Sequence, residues 1–212
     1  MPPKLPTDLP LVPAILLAAG ASTRLGQPKQ LLQLPAFGGE TLLAHTVGLA
    51  DVAGAVPLFV VLGAHAEEIQ RQSQLPHCTV LRNDAWAEGM ASSIRTGIAA
   101  VIEQVPNASG VTLLVCDQPA LYVEHLRQLL ACHRRDPDTI VASRYAGRLG
   151  VPAIFPRAFF PALLQLKGDR GARVLLQQSG WTIQQVKFPQ GELDIDSPED
   201  IPSPLSPGEA AS

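Results

Sequence analysis

Apolar residues come in short unbroken runs, separated by stretches in which they recur every third or fourth position. That pattern marks buried strands alternating with one-sided helices. The runs lie at residues 12–18, 58–62, 79–81, 111–116 and 139–142, and helical spacing fills 41–49, 67–74, 92–102 and 123–133. Alternation of this kind predicts an α/β chain, with a mostly parallel central sheet joined by right-handed crossovers and covered by helices. Beyond residue 142 the rhythm loosens. Residues 145–156 are punctuated by Gly and Pro and read as a lid or completing lobe, followed by a helix pair broken at Gly168 and a last strand at 182–186. One domain is expected over residues 12–201, between a flexible Pro-rich segment at 1–11 and a disordered Pro- and Ser-rich tail at 202–212.

Composition narrows the partners. With 212 residues, 46% of them hydrophobic, the chain can bury one sizeable core, and a net charge of -3 gives no general attraction to nucleic acid. Any bound anion must meet local positive charge. Cys78, Cys116 and Cys132 form no CxxC pair and have no spaced histidines, so reduced thiols are expected rather than a zinc site or disulfides. The apolar run after residue 11 is too short to span a bilayer and has no basic leader, so the expectation is a cytoplasmic protein without a membrane partner.

Ligands of open α/β sheets bind beyond the carboxyl ends of the strands, which directs attention to the loop leaving the first run. It reads Leu17-Ala18-Ala19-Gly20-Ala21-Ser22-Thr23-Arg24-Leu25-Gly26-Gln27-Pro28-Lys29. Small residues let backbone N–H groups approach a phosphate chain, while Arg24 and Lys29 supply the cations that the whole chain lacks. The loop is neither a Walker loop, which needs Lys directly after the second Gly, nor a GxGxxG dinucleotide fingerprint. Asp117, at the end of the run 111–116, falls at the same carboxyl edge, as a metal ligand or as the cap of the next helix.

With these residues in view, the loop resembles the LAAGxxxRxGxxK signature of the nucleotidyltransferases that include the molybdenum cofactor cytidylyltransferases. Four further segments are similar to that family's motifs, in the same order. They are the Asn83-Asp84-Ala85-Trp86-Ala87-Glu88-Gly89-Met90-Ala91-Ser92-Ser93 stretch, Asp117-Gln118-Pro119, Gly168-Asp169-Arg170-Gly171-Ala172-Arg173, and Asp194-Ile195-Asp196-Ser197-Pro198-Glu199-Asp200. Leu25 stands where the family often has Met, and Ser197 where it has Thr; both changes conserve size. The resemblance implies a single three-layer, Rossmann-like nucleotidyltransferase domain that moves CMP from CTP to the phosphate of molybdopterin and releases pyrophosphate. The product would pass to a molybdenum hydroxylase apoenzyme. A guanylyl branch, a sugar- or polyol-phosphate transferase and a non-catalytic cofactor chaperone are the rival readings, with a Rossmann oxidoreductase disfavoured by the missing GxGxxG.

Such chemistry needs two anions brought into line, so fixed cations and a divalent metal suit it, and a phosphate nucleophile already ionised near neutral pH needs no histidine base. On the resemblance, Arg24, Lys29 and Asp117 would be catalytic, and Leu17, Ala18, Ala19, Gly20, Gly89 and Ser93 would join both cations around the nucleotide. Asp117 and Asp196, with Asp194 as substitute, would hold Mg2+ or Mn2+. Ser92, Asp169 and Arg173 would line the second-substrate pocket, although Ser92 and Ser93 also suit an ordinary helix cap, and Asp169 with Arg173 a salt-bridged helix start. Arg144, Tyr145 and Arg148 read as an anion clamp or as a solvated loop, and Trp86 reads as core.

Overall fold

The computed structural model describes residues 11–177 and 180–201. The flexible segment (apart from Leu11) and the disordered tail expected from sequence lie outside the described residues. Seven strands form one sheet: β1 (Ala14–Ala18), β2 (Leu58–Leu62), β3 (Cys78–Arg82), β4 (Gly110–Val115), β5 (Ile140–Tyr145), β6 (Arg148–Pro156) and β7 (Ile183–Lys187), in the order β3-β2-β1-β4-β6-β5-β7. The longer helices are α1 (Leu42–Ala53), α2 (Ala66–Gln72), α3 (Met90–Gln104) and α4 (Val123–Arg135), with short α5 (Phe160–Leu164) and α6 (Arg173–Gln177) later in the chain.

Strict side-chain alternation explains why each central run is apolar throughout. In β1, Ala14, Leu16 and Ala18 face α1 and α4, whereas Ile15 and Leu17 face α3 and the short late helices. β2 does the same with Leu58, Val60 and Leu62 against Phe59 and Val61. The result is three layers. Gly97 lets α3 lie close on β1, since a Cβ there would come within 2.6 Å of the Ile15 side chain.

Of the two readings of 145–156, lid or completing lobe, the stretch is no lid; it completes the sheet. Residues 148–156 are β6, an interior strand antiparallel to both β4 and β5. The punctuation that disguised it has local causes. Gly150 makes room for the Tyr145 ring, whose Cζ would lie 2.7 Å from any Cβ, and Pro152 sits beside a register shift between Ala142 and Ser143, where the ladder is already interrupted.

Because β6 alone is reversed, the carboxyl ends of β1, β2, β3, β4, β5 and β7 share one rim with the start of β6. The turn carrying Tyr145 and Arg148 therefore emerges beside the ends of β1 and β4.

His125 of α4 shows how tightly the core constrains charge. Its ring is wholly buried and stacks on Phe188, with centroids 4.5 Å apart. Ser143 Oγ donates to the Pro152 carbonyl at 2.6 Å, so it accepts from His125 Nε2–H at 2.7 Å, and Nδ1 has no hydrogen-bond partner among the described residues. Burial pushes this imidazole from 6.5 down to about 4. Above 6.5 neither folded nor unfolded chain is protonated there. As pH falls toward 4 the unfolded chain alone takes up the proton, so stability is lost, by about 3 kcal/mol at most. Thermal melts should drop by about 5–10 °C from this group between pH 7 and 4.5. His125→Gln should flatten that slope, and an unchanged slope would assign the acid sensitivity to another group.

Candidate active site

The strand order reverses at β1, which has β2 on one side and β4 on the other, and a crevice opens there beyond the strand ends. The loop leaving β1 is shaped from beneath. Gln30, almost fully buried, donates from Nε2 to the carbonyls of Ala18 at 2.8 Å and Gly20 at 3.0 Å. Ser22, in the left-handed region at φ 51°, accepts the Lys29 backbone N–H on Oγ at 3.1 Å. Leu25 is buried in a small cluster with Leu32, Leu34, Leu42 and Ile195, so the loop and the closing segment share an anchor.

Asp117 follows β4. It does not cap the next helix, which starts at Val123 with Tyr122 in the cap position. Its backbone carbonyl accepts from Ile195 N–H at 2.9 Å, and the buried Gln118 side chain donates to the Gly191 carbonyl at 2.9 Å. These bonds lay the closing segment across the end of β4, which brings residues far apart in sequence to one point.

There Lys29 Nζ donates to Asp117 Oδ2 at 2.8 Å and to Asp196 Oδ1 at 2.7 Å, and Arg24 Nη2 holds the other Asp196 oxygen at 2.7 Å. The Lys29 side chain is 14% exposed, against 73% for Arg24. Burial alone would pull the Lys29 ammonium down, but the Asp117 and Asp196 carboxylates overcome it and hold the group above its ordinary range. In return the Lys29 hydrogen bond keeps Asp196 below the usual carboxylate value. Asp194 behaves oppositely. Lost solvation, then the charges of Asp117 and Asp196, push its carboxyl up to about 6.

Two cavities adjoin this cluster. One, of about 490 Å3, is lined by Leu17, Ala18, Ala19, Gly20, Lys29, Gly89 and Ser93 among the residues expected around a nucleotide, and also by Asp117 and Asp196. The other, of about 340 Å3, is lined by Asp169, Arg173, Tyr145, Arg148, Arg170 and Asp194. Asp117 and Asp169 line both. Arg24 lines neither cavity and joins the cluster through Asp196.

Ser92 stands apart from its expected place. Only 2% exposed and outside both cavities, it accepts from Asn83 Nδ2 at 2.8 Å and donates to the Gly89 carbonyl at 2.8 Å, so its hydroxyl is committed to the start of α3. Trp86, expected in the core, is 37% exposed and forms part of the larger cavity's wall, resting on Gly63. Gln30 was not singled out from sequence, since a glutamine that braces a loop carries no spacing signal, and Gln118 entered only within the Asp117-Gln118-Pro119 motif.

The chain is similar to known proteins over most of its length. Residues 14–185 match the family described as the MobA-like NTP transferase domain. Nicotine blue oxidoreductase of Paenarthrobacter nicotinovorans is 34% identical over 186 residues, covering 84% of this chain and 87% of that protein. Purine catabolism protein PucB of Bacillus subtilis is 32% identical over 204 residues, covering 90% and 94%. The crystal structure of Rv0371c from Mycobacterium tuberculosis superposes with a TM-score of 0.79 at 30% identity over 91% of this chain and 96% of that one, and another structure of that protein is a complex with manganese (TM-score 0.74, 29% identity, 90% and 95% covered). The crevice at the reversal of strand order thus lies in a sequence whose likeness runs from β1 into β7, and the chain belongs to the MobA-like NTP transferase family.

Proposed function

We infer that this protein transfers CMP from CTP to the phosphate of molybdopterin or its molybdenum-bearing form, with release of pyrophosphate. The observation that carries the reading is the pair of adjoining cavities with Asp117 in the wall of both and Lys29 and Asp196 beside it. A transfer between two phosphates needs two compartments that meet at one point, and that point must carry both cations and carboxylates.

The donor chemistry there fits a divalent metal. Asp117 and Asp196 present hard carboxylate oxygens to one cavity, and their shared hold on the Lys29 ammonium shows that the spot favours positive charge. Two carboxylates leave coordination positions for phosphate oxygens, as Mg2+ or Mn2+ requires. When bound, such an ion supplies neutralisation of the triphosphate and of the charge that develops on the departing pyrophosphate.

The rest falls to the chain. Gly20 and its small neighbours bring backbone N–H groups toward the phosphates, and Lys29 and Arg24 draw negative charge to the same end of the cavity. The smaller cavity, with Arg148, Arg170 and Arg173 among apolar walls from Ile94, Leu149 and Leu176, suits an acceptor with an anionic group on a ring body. An acceptor phosphate oxygen then attacks the α-phosphorus, the bond from that phosphorus to the bridging oxygen breaks, and pyrophosphate leaves. The motif resemblance supports cytidine and the pterin acceptor, with the product delivered onward to a molybdenum hydroxylase.

Pyrophosphate release should be measured with CTP, GTP and ATP, with and without Mg2+, in the presence of molybdenum cofactor. Release that requires CTP, metal and acceptor together is expected. A preference for GTP would move the protein to guanylyl transfer. No release with any triphosphate, alongside reduction of a dye by NADH or NADPH, would favour an oxidoreductase, as the name of one relative carries.

A further inference from the structure

The two cavities share part of their walls. Met90, the first residue of α3, and Asp169, in the turn at 168–170, are side chains from different segments that line both. The segments are in backbone contact. Gly89, at φ 116°, lies so close to the turn that a Cβ would come within 2.6 Å of the Gly168 carbonyl carbon, and one at Gly171 would come within 2.6 Å of Met90 Sδ. Close contact without a fastening would let the segments slide.

Arg95 is the fastening. Five residues beyond Met90 on α3, it reaches back with Nη2 to Glu88 Oε2 at 2.6 Å and across with Nη1 to the Leu166 carbonyl at 2.7 Å. It touches neither cavity. A planar fork with two donors can hold a carboxylate on one segment and a carbonyl on the other in a fixed relation, which a single flexible ammonium cannot do.

We propose that Arg95 is a positioning residue that sets the spacing between the nucleotide-side and acceptor-side walls, and so the line along which the acceptor phosphate meets the triphosphate. This rests on the transferase reading. Attack geometry tolerates little error, since a displacement of about 1 Å can cost about 100-fold in rate. The triphosphate itself is held by the loop after β1 and by Lys29, which Arg95 does not touch. The effect must therefore fall on turnover and on the acceptor, not on nucleotide affinity.

The test compares wild type with Arg95→Ala, Arg95→Lys and Glu88→Gln, measuring equilibrium binding of CTP, kcat, the KM for molybdenum cofactor and the melting temperature. For Arg95→Ala, CTP binding should stay within about twofold while kcat falls by about 10- to 100-fold and the acceptor KM rises. Arg95→Lys should recover part of the loss by keeping one contact, and Glu88→Gln, which leaves the Leu166 bond intact but weakens the other arm, should fall between wild type and Arg95→Ala. Wild-type turnover by Arg95→Ala, or a loss of turnover no greater than its loss of CTP binding, overturns the inference alone. Absence of pyrophosphate release from wild type overturns the transferase reading and the inference together.

Discussion

Replacing Lys29 with Met should remove nearly all pyrophosphate release from a protein that still folds. The ammonium is the common partner of Asp117 and Asp196, at 2.8 and 2.7 Å, and those carboxylates outweigh the burial that opposes its charge. Without it, Asp117, Asp194 and Asp196 confront one another with only Arg24, which is largely in solvent, and Arg148, which faces Asp194, to offset them. Removing one preorganised donor from charge that develops in a transition state typically costs 100- to 1,000-fold in kcat, and a loss of about that size is expected. The folding cost should be small, about 1–2 kcal/mol, because the stranded carboxylates reach water. A Lys29→Met enzyme with kcat within threefold of wild type would remove Lys29 from the chemistry.

Asp117→Ala should be comparably damaging to turnover and gentler on the fold. The staple that brings the closing segment to β4 uses the Asp117 backbone carbonyl, which alanine retains, so Ile195 and Asp196 stay where they are. Only the carboxylate in the wall of both cavities disappears. Kinetics should show kcat down by about 100-fold or more, with a melting temperature within about 3 °C of wild type, since Lys29 keeps its bond to Asp196 and is not left unpaired. Asp117→Asn should behave like alanine, because an amide cannot supply the charge. Pyrophosphate release that keeps its wild-type dependence on Mg2+ concentration in either variant would exclude Asp117 as a metal ligand.

The first four strands and the long helices were legible because each is governed by local rules: apolar runs for strands, three of them buried almost throughout and β3 a half-exposed edge, and a three-to-four spacing for helices. α1 even begins after Thr41, whose side chain accepts the Ala44 N–H, as an N-terminal cap should. β6 was not legible. Its Gly and Pro are explained by a ring from the neighbouring strand and a break in its ladder, neither of which is visible without the partner strand. In the site, Asp117 could be placed from the end of its strand. Asp196 could not, since it lies in irregular chain whose position depends on Ile195 finding Leu25 across more than half the sequence, and only the motif resemblance pointed to it. Ser92 was drawn into the pocket by its place near a helix start, when its hydroxyl is in fact used to finish that start.

The single reversed strand sorts the connections into two populations. Those that line the two cavities emerge on the rim shared by Ala18, Val115 and Tyr145, while the far side of the sheet receives joints such as the exposed 136–138 stretch between α4 and β5. A fluorophore, affinity handle or whole reporter domain spliced in at 136–138 would hang a full strand length from the chemistry, which makes that corner the natural handle for immobilising or visualising a working enzyme.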